Sequence, residues 1–210
     1  MDVSNIYVNT QSSILIDYGK KIYIDPLDIE ESSGDADYIF ITHDHYDHYS
    51  MKDILKIQND NTVFVIPASL EKNLRNNFQA GSLISVAPGN AYETPDFTFE
   101  TIPSYNKVKP FHPKRAGWCG YVVDIDGTRI YIAGDTDDTK EAETVRCDIA
   151  LVPIGGTFTM NYKEAARLIN KMKPKYAIPT HYGGLVGSKS DGDEFKKLVD
   201  TDIKVEIKLS

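Results

Sequence analysis

The chain has 210 residues, 41% of them hydrophobic and 10% aromatic, with a net charge of −8. That length and apolar content support one packed core and exclude a disordered chain. The acidic balance lacks the basic footprint of a nucleic-acid reader, so no nucleic-acid partner is expected. Cys119 and Cys147 have no CxxC spacing, no run reaches the roughly 18 apolar residues of a membrane span, and the start has no basic-then-apolar leader. A single domain over 1–210, in the cytoplasm, free of disulfides and of the membrane, is the expectation.

In chain order, SILIDY (13–18) and KIYID (21–25) read as strands around a turn at DYGKK (17–21). DYIFIT (37–42) is a third strand. SMKDILKIQ (50–58) reads as a helix with Ser50 at its N-cap, TVFVI (62–66) as a strand, and ASLEKNLRNNF (68–78) as a short helix. DFTFETI (96–102) is a strand. GYVVDI (120–125) and RIYIA (129–133) form a hairpin around Asp126-Gly127. After the strand DIALVPI (148–154), NYKEAARLINKMK (161–173) reads as a helix. Asn161 and Glu164 form its capping box, Pro174 stops it, and Ala165, Leu168, Ile169 and Met172 share one face. YAIPT (176–180) is a strand and SDGDEFKKLV (190–199) a helix. Early strands come as hairpins and later ones alternate with helices, which predicts an α/β architecture of sheets covered by helices.

Four strands end on a metal-capable side chain. KIYI leads into Asp25, RIYIA into Asp135, YAIPT into His181, and DYIFIT into THDHYDH (42–48), which holds three of the five histidines of the chain. Strand ends are where rigid elements aim loop residues at a common point. A His/Asp-rich loop in an arbitrary chain is a solvated turn, Gly-Asp-Thr alone is a turn, and a lone His181 is a core histidine. Their joint placement favours a metal centre. If the backbone is extended, His43 and His45 project to one side, while Asp47 and His48 turn toward a second position. This arrangement reads as two metals. Imidazole and carboxylate donors suit zinc, manganese or iron. GGTFTMN (155–161) lacks the G-K-[ST] of a phosphate loop and reads as a tight turn, and no G-x-S-x-G supports serine hydrolysis.

THDHYDH matches the T-H-x-H-x-D-H signature of the metallo-β-lactamase superfamily. IYIDP (22–26), IAGDT (132–136) and PTHYG (179–183) resemble its first, fourth and fifth motifs, so the resemblance spans nearly the whole chain. The chain looks most like the small-hydrolase branch that includes the ascorbate-6-phosphate lactonases. The resemblance implies a four-layer αββα sandwich. It also implies a metal-activated water that cleaves an ester, lactone or phosphodiester of a small molecule, with two divalent cations as cofactors, zinc first, manganese or iron as alternatives. His43 and His45 would bind the first, Asp47, His48 and His181 the second, and Asp135 both, with Asp25 orienting the histidine loop. Asp47 and Asp135 would also be catalytic. Tyr105 and Tyr182, beside presumed site residues, are candidates to donate to an oxyanion, and Lys114 or Arg115 to pair with a phosphate. One position departs: where the third motif has histidine, this chain has Tyr105-Asn106. His112 is the remaining histidine and a candidate ligand. The rivals are Asn106 or a water in that place, with His112 as a substrate contact or loop residue. Iron-dependent redox chemistry and nucleic-acid cleavage on the same fold are the alternative functions.

Overall fold

The computed structural model describes residues 3–77 and 82–209. The first sheet runs, in spatial order, β1 (Ile6–Val8), β2 (Ile14–Asp17), β3 (Lys21–Ile24), β4 (Tyr38–Phe40), β5 (Val63–Pro67) and β6 (Ser82–Val86). The second runs β7 (Ala91–Glu93), β8 (Thr98–Pro103), β9 (Cys119–Ile125), β10 (Thr128–Ile132), β11 (Ile149–Pro153), β12 (Tyr176–Thr180) and β13 (Lys204–Val205). Each sheet starts as an antiparallel meander and continues in parallel, the switch falling at the β3/β4 and β10/β11 pairs. Parallel pairing requires crossovers. These carry α1 (Met51–Ile57) and α2 (Glu71–Asn77) beside the first sheet, and α3 (Lys140–Glu143), α4 (Tyr162–Met172) and α5 (Asp191–Leu198) beside the second.

Alternation along each strand sorts side chains into three apolar layers. Phe40 of β4 faces inward and meets Phe99 and Tyr121 of the second sheet edge-to-face, at 5.2 and 5.0 Å between ring centroids. Its neighbours Ile39 and Ile41 face outward onto Ile54 and Ile57 of α1. On the far side, Ala165, Leu168, Ile169 and Met172 of α4 cover the second sheet, the face expected from their spacing. The result is the expected αββα sandwich. The two sheets are stitched together where β4 ends: the Tyr121 hydroxyl donates to the Ile41 carbonyl at 2.6 Å, and the Cys119 amide to that of Thr42 at 3.2 Å.

Most expected elements are present, within a residue or two. The capping box of α4 forms in both directions, Glu164 N–H to Asn161 Oδ1 at 3.1 Å and Asn161 N–H to Glu164 Oε2 at 3.0 Å. Ser50 stands at the N-cap of α1, but its hydroxyl donates to Asp53 at 2.6 Å instead of capping the helix. The strand expected from 96 begins at Thr98, because residues 94–97 form a turn closed by the Thr94 hydroxyl on the Phe97 amide and carbonyl. The helix expected over 68–78 is a 3-10 turn followed by α2, and its last position, Phe78, lies outside the described residues. The short β1, β7 and β13, the polar-faced β6 and the one-turn α3 were not expected. Their runs are too brief or too mixed to carry a period.

Phe40→Ala removes the ring that three aromatic neighbours pack against. A loss of about 3–5 kcal/mol in unfolding free energy is expected; chemical denaturation checks it, and a loss below about 1 kcal/mol would contradict this account of the core.

Candidate metal centre

The centre is assembled around Asp25, fully buried and held at φ +47° just beyond β3. One carboxylate oxygen accepts the Thr42 amide at 2.8 Å. The other accepts the Thr42 hydroxyl at 2.6 Å and lies 2.7 Å from His48 Nδ1. Asp25 therefore grips both ends of the loop 42–48. The Thr42 hydroxyl, having donated to Asp25, is left to accept from His43 Nδ1 at 2.9 Å. These bonds occupy Nδ1 of both imidazoles and leave Nε2 facing inward, the nitrogen each would offer a metal.

Two further strand ends close on the loop. Asp135 follows Gly134, whose φ is +62° and whose Cα hydrogen leaves room for Thr42: a Cβ there would lie 3.1 Å from the Thr42 Cβ. His181 follows β12 at φ +57°, pinned by its amide to the Gln11 carbonyl at 2.8 Å. Gly155 backs it closely, since a Cβ there would stand 2.3 Å from the His181 carbonyl oxygen. His112 arrives on the loop between β8 and β9. Asn106 Oδ1 accepts both its backbone amide, at 3.1 Å, and Nδ1, at 3.0 Å. The Asn106 amide donates in turn to the Phe158 carbonyl at 2.8 Å and to Asp137 at 3.2 Å. Asn106 thus takes no ligand position; it turns His112 Nε2 into the centre.

The ligating atoms fall into two triads, His43/His45/His112 and Asp47/His48/His181, each within a 4.8 Å span. Asp135 lies between them, one oxygen 3.3 Å from His48 Nε2 and the other 3.3 Å from His112 Nε2 and 3.4 Å from His181 Nε2. The third combination, Asp25/His43/His48, uses a carboxylate already occupied by Thr42 and His48. His48 Nε2, His112 Nε2 and Asp135 Oδ1 are buried without a hydrogen-bond partner among the described residues. Unpartnered buried polar atoms are rare, and several converging on one point fit a cation. Trp118 walls the three-histidine triad, its ring 5.1, 5.0 and 5.6 Å from those of His43, His45 and His112.

Charge follows this packing. Burial, aided by the neighbouring imidazoles, holds His43 far below the ordinary histidine pKa. Burial also opposes protonation of His48, but the carboxylates of Asp135 and Asp25 outweigh it and hold His48 well above the ordinary value. For Asp135 burial works against the carboxylate, yet His181 and His48 drive its pKa well below the usual range.

All seven residues expected as ligands, His43, His45, Asp47, His48, His112, Asp135 and His181, meet here. The two tyrosines do not. The Tyr105 hydroxyl donates to Glu141 at 2.9 Å and its ring lies under Lys114 Nζ, so it is turned toward α3. Lys114 is itself paired with Glu141. Tyr182 is buried against α5, its hydroxyl so close to Gly192 that a Cβ there would stand 2.5 Å away. Neither hydroxyl faces the centre, because each belongs to a neighbouring layer of packing. Sequence reasoning missed the orienting role of Asn106, the tether at Gln11 and the Trp118 wall, which have no fixed spacing from the histidines. GGTFTMN is the tight turn expected, with Gly156 at φ +83° and its amide on the Met160 carbonyl at 3.0 Å.

Residues 6–181 match the family model described as a beta-lactamase superfamily domain. The chain belongs to the metallo-β-lactamase superfamily. It is 31% identical over 210 residues to a UPF0173 metal-dependent hydrolase of Pyrococcus furiosus, covering 93% of this chain and 92% of that one. A crystal structure from Parabacteroides distasonis superposes with a TM-score of 0.81 at 28% identity, over 98% of this chain and 93% of that one. A metallo hydrolase from Ignicoccus hospitalis superposes with a TM-score of 0.75 at 21% identity, over 96% and 93%, which speaks for the fold alone. The protein is a metal-dependent hydrolase of this superfamily. Among the described residues, no helix is long and apolar enough to cross a membrane.

The raised His48 pKa has a consequence for the metal-free protein. A group with a raised folded pKa contributes stability that is complete below its unfolded pKa, about 6.5, and is lost as pH rises through the folded value. Thermal melts in chelator should therefore fall in midpoint as pH climbs above about 6.5. In Asp25→Asn, which lacks one of the two carboxylates responsible, the decline should flatten and the His48 midpoint in an NMR titration should drop. An unchanged set of histidine midpoints would refute the Asp25 contribution.

Proposed function

We propose that the protein hydrolyses an ester, lactone or phosphodiester bond of a small molecule at a two-cation centre. His43, His45 and His112 hold one ion, Asp47, His48 and His181 the other, and Asp135 both. The observation that carries this reading is the division of the ligating atoms into two triads, with Asp135 within 3.4 Å of a member of each. The nitrogen-rich donor set fits zinc, and accepts manganese or iron.

Divalent cations held there would bring the pKa of a water to near 7 and draw charge from the oxygen of a carbonyl or phosphoryl group. The chain supplies everything else. Asp25 and Thr42 engage Nδ1 of His43 and His48, and Asn106 engages that of His112, so that these three imidazoles aim Nε2 at the centre. Asp47 lies at the floor of the open cleft, its Oδ2 3.3 Å from His181 Nε2. There it can pass a proton from the attacking water to the leaving oxygen.

Elemental analysis of protein purified without chelator should find about two equivalents of metal in the wild type. Asp135→Ala should lose both in large part, and His112→Ala the ion of the three-histidine triad. Asn106→Ala should keep that ion but bind it about 10–100-fold more weakly, the usual cost of losing a partner that orients a ligand. One equivalent in the wild type, unchanged in His112→Ala, would reduce the reading to a single-metal mechanism. Chelation should abolish turnover and zinc should restore it; restoration by iron alone, with oxygen consumption, would favour the redox alternative.

A further inference from the structure

The centre opens into a cleft of about 230 Å³ whose walls are Tyr46, Phe111, Phe158 and Leu185. Phe111 and Phe158 come from different loops and meet edge-to-face, 4.7 Å between centroids at 89°. Tyr46 is the free position between two ligands of the histidine loop, and with Leu185 it also borders an adjoining hollow. These side chains stand in solvent: Tyr46 is 73% exposed, Leu185 57% and Phe111 41%. Apolar groups gathered at one mouth and left open are the mark of a ligand surface.

Charge selects the ligand. Among the described residues, no lysine or arginine lines the cleft, while Asp47 and Asp135 do. The lysines of the adjacent loop are committed elsewhere: Lys107 to Asp138, Lys109 to Asp137 at 2.8 Å and to the Thr159 carbonyl at 2.7 Å, and Lys114 to Glu141. Lys52, at the adjoining hollow, pairs with Asp28 at 3.5 Å. With Asp47 and Asp135 engaged by the cations, a phosphate oxygen could reach the centre, but the rest of an anionic ligand would meet aromatic and aliphatic side chains with no lysine or arginine to offset its desolvation.

We propose that the cleft formed by Tyr46, Phe111, Phe158 and Leu185 selects neutral ligands with an apolar acyl or alkoxy group, so that the substrate is an uncharged ester or lactone. The bond cleaved rests on the hydrolase reading above; the preference for a neutral apolar ligand does not. In the reaction the acyl C–O bond breaks and the water oxygen joins the acyl carbon. One water proton passes to the leaving alkoxide and the other is released to solvent, giving an alcohol and a carboxylate.

The test has a binding arm and a turnover arm, both on protein as purified. In the binding arm, ligand-observed NMR titrations use methyl ketones of increasing alkyl length, which cannot be hydrolysed, and phenyl phosphate as the charged comparison. Affinity for the ketones should rise about two- to fourfold per methylene and exceed that for phenyl phosphate. Phe111→Ser and Leu185→Ser, both exposed positions, should flatten the series while metal content stays unchanged. In the turnover arm, kcat/KM for p-nitrophenyl esters from acetate to hexanoate should rise in the same way and exceed that for bis(p-nitrophenyl) phosphate. A length-dependent ketone series with no ester cleaved supports the cleft and overturns the hydrolytic reading alone. Esters cleaved with no dependence on length, or tighter binding of phenyl phosphate than of any ketone, overturns the cleft proposal and leaves the hydrolase standing.

Discussion

One buried carboxylate organises the centre. Asp25 is fully withdrawn from water, which pushes its pKa up even against His48 and two bonds from Thr42, and those contacts hold it in place. Removing one partner from such a set leaves a buried charge uncompensated, far costlier than the set's net worth to stability. The loop 42–48 is therefore held at both ends by a group that never touches the reacting atoms. The His43 and His48 imidazoles of that loop inherit their direction from this anchor.

The anchor in turn depends on the sandwich. Phe40 and Tyr121 lock the end of β4 against the second sheet, so the histidine loop starts from a fixed point. Asp135 and His181 then reach it from the other sheet. Asp25 and His181 both occupy left-handed backbone, unusual for residues with a side chain. Such conformations cost of order 1–3 kcal/mol each and persist where surrounding structure over-determines them, here by Thr42, His48 and the Gln11 carbonyl. The strain sits where aim matters most.

The legible parts of the sequence were those with a period or a fixed spacing. The strands of the two sheet centres, the α4 capping box and six of the seven presumed ligands could be read because alternation, Asn161/Glu164 and the strand-end positions are local signals. His112 was placed by elimination, and the geometry beside His43 and His45 agrees. Tyr105 and Tyr182 were misread because adjacency in sequence says nothing about which layer a side chain enters: one turns to Glu141, the other to Gly192. Asn106, Gln11, Phe111 and Phe158 act through contacts between loops distant in sequence, and no pattern in one chain encodes those. The edge strands are too short or too mixed to show a period.

Trp118 is the only tryptophan in the chain, and three imidazoles stand within 5.6 Å of its ring. The indole emission of the whole molecule therefore originates beside one histidine triad. Protonation or cation loading of those imidazoles changes the electron-accepting power of the indole's nearest neighbours. The protein carries its own optical gauge for the triad completed by His112, and that gauge needs no label.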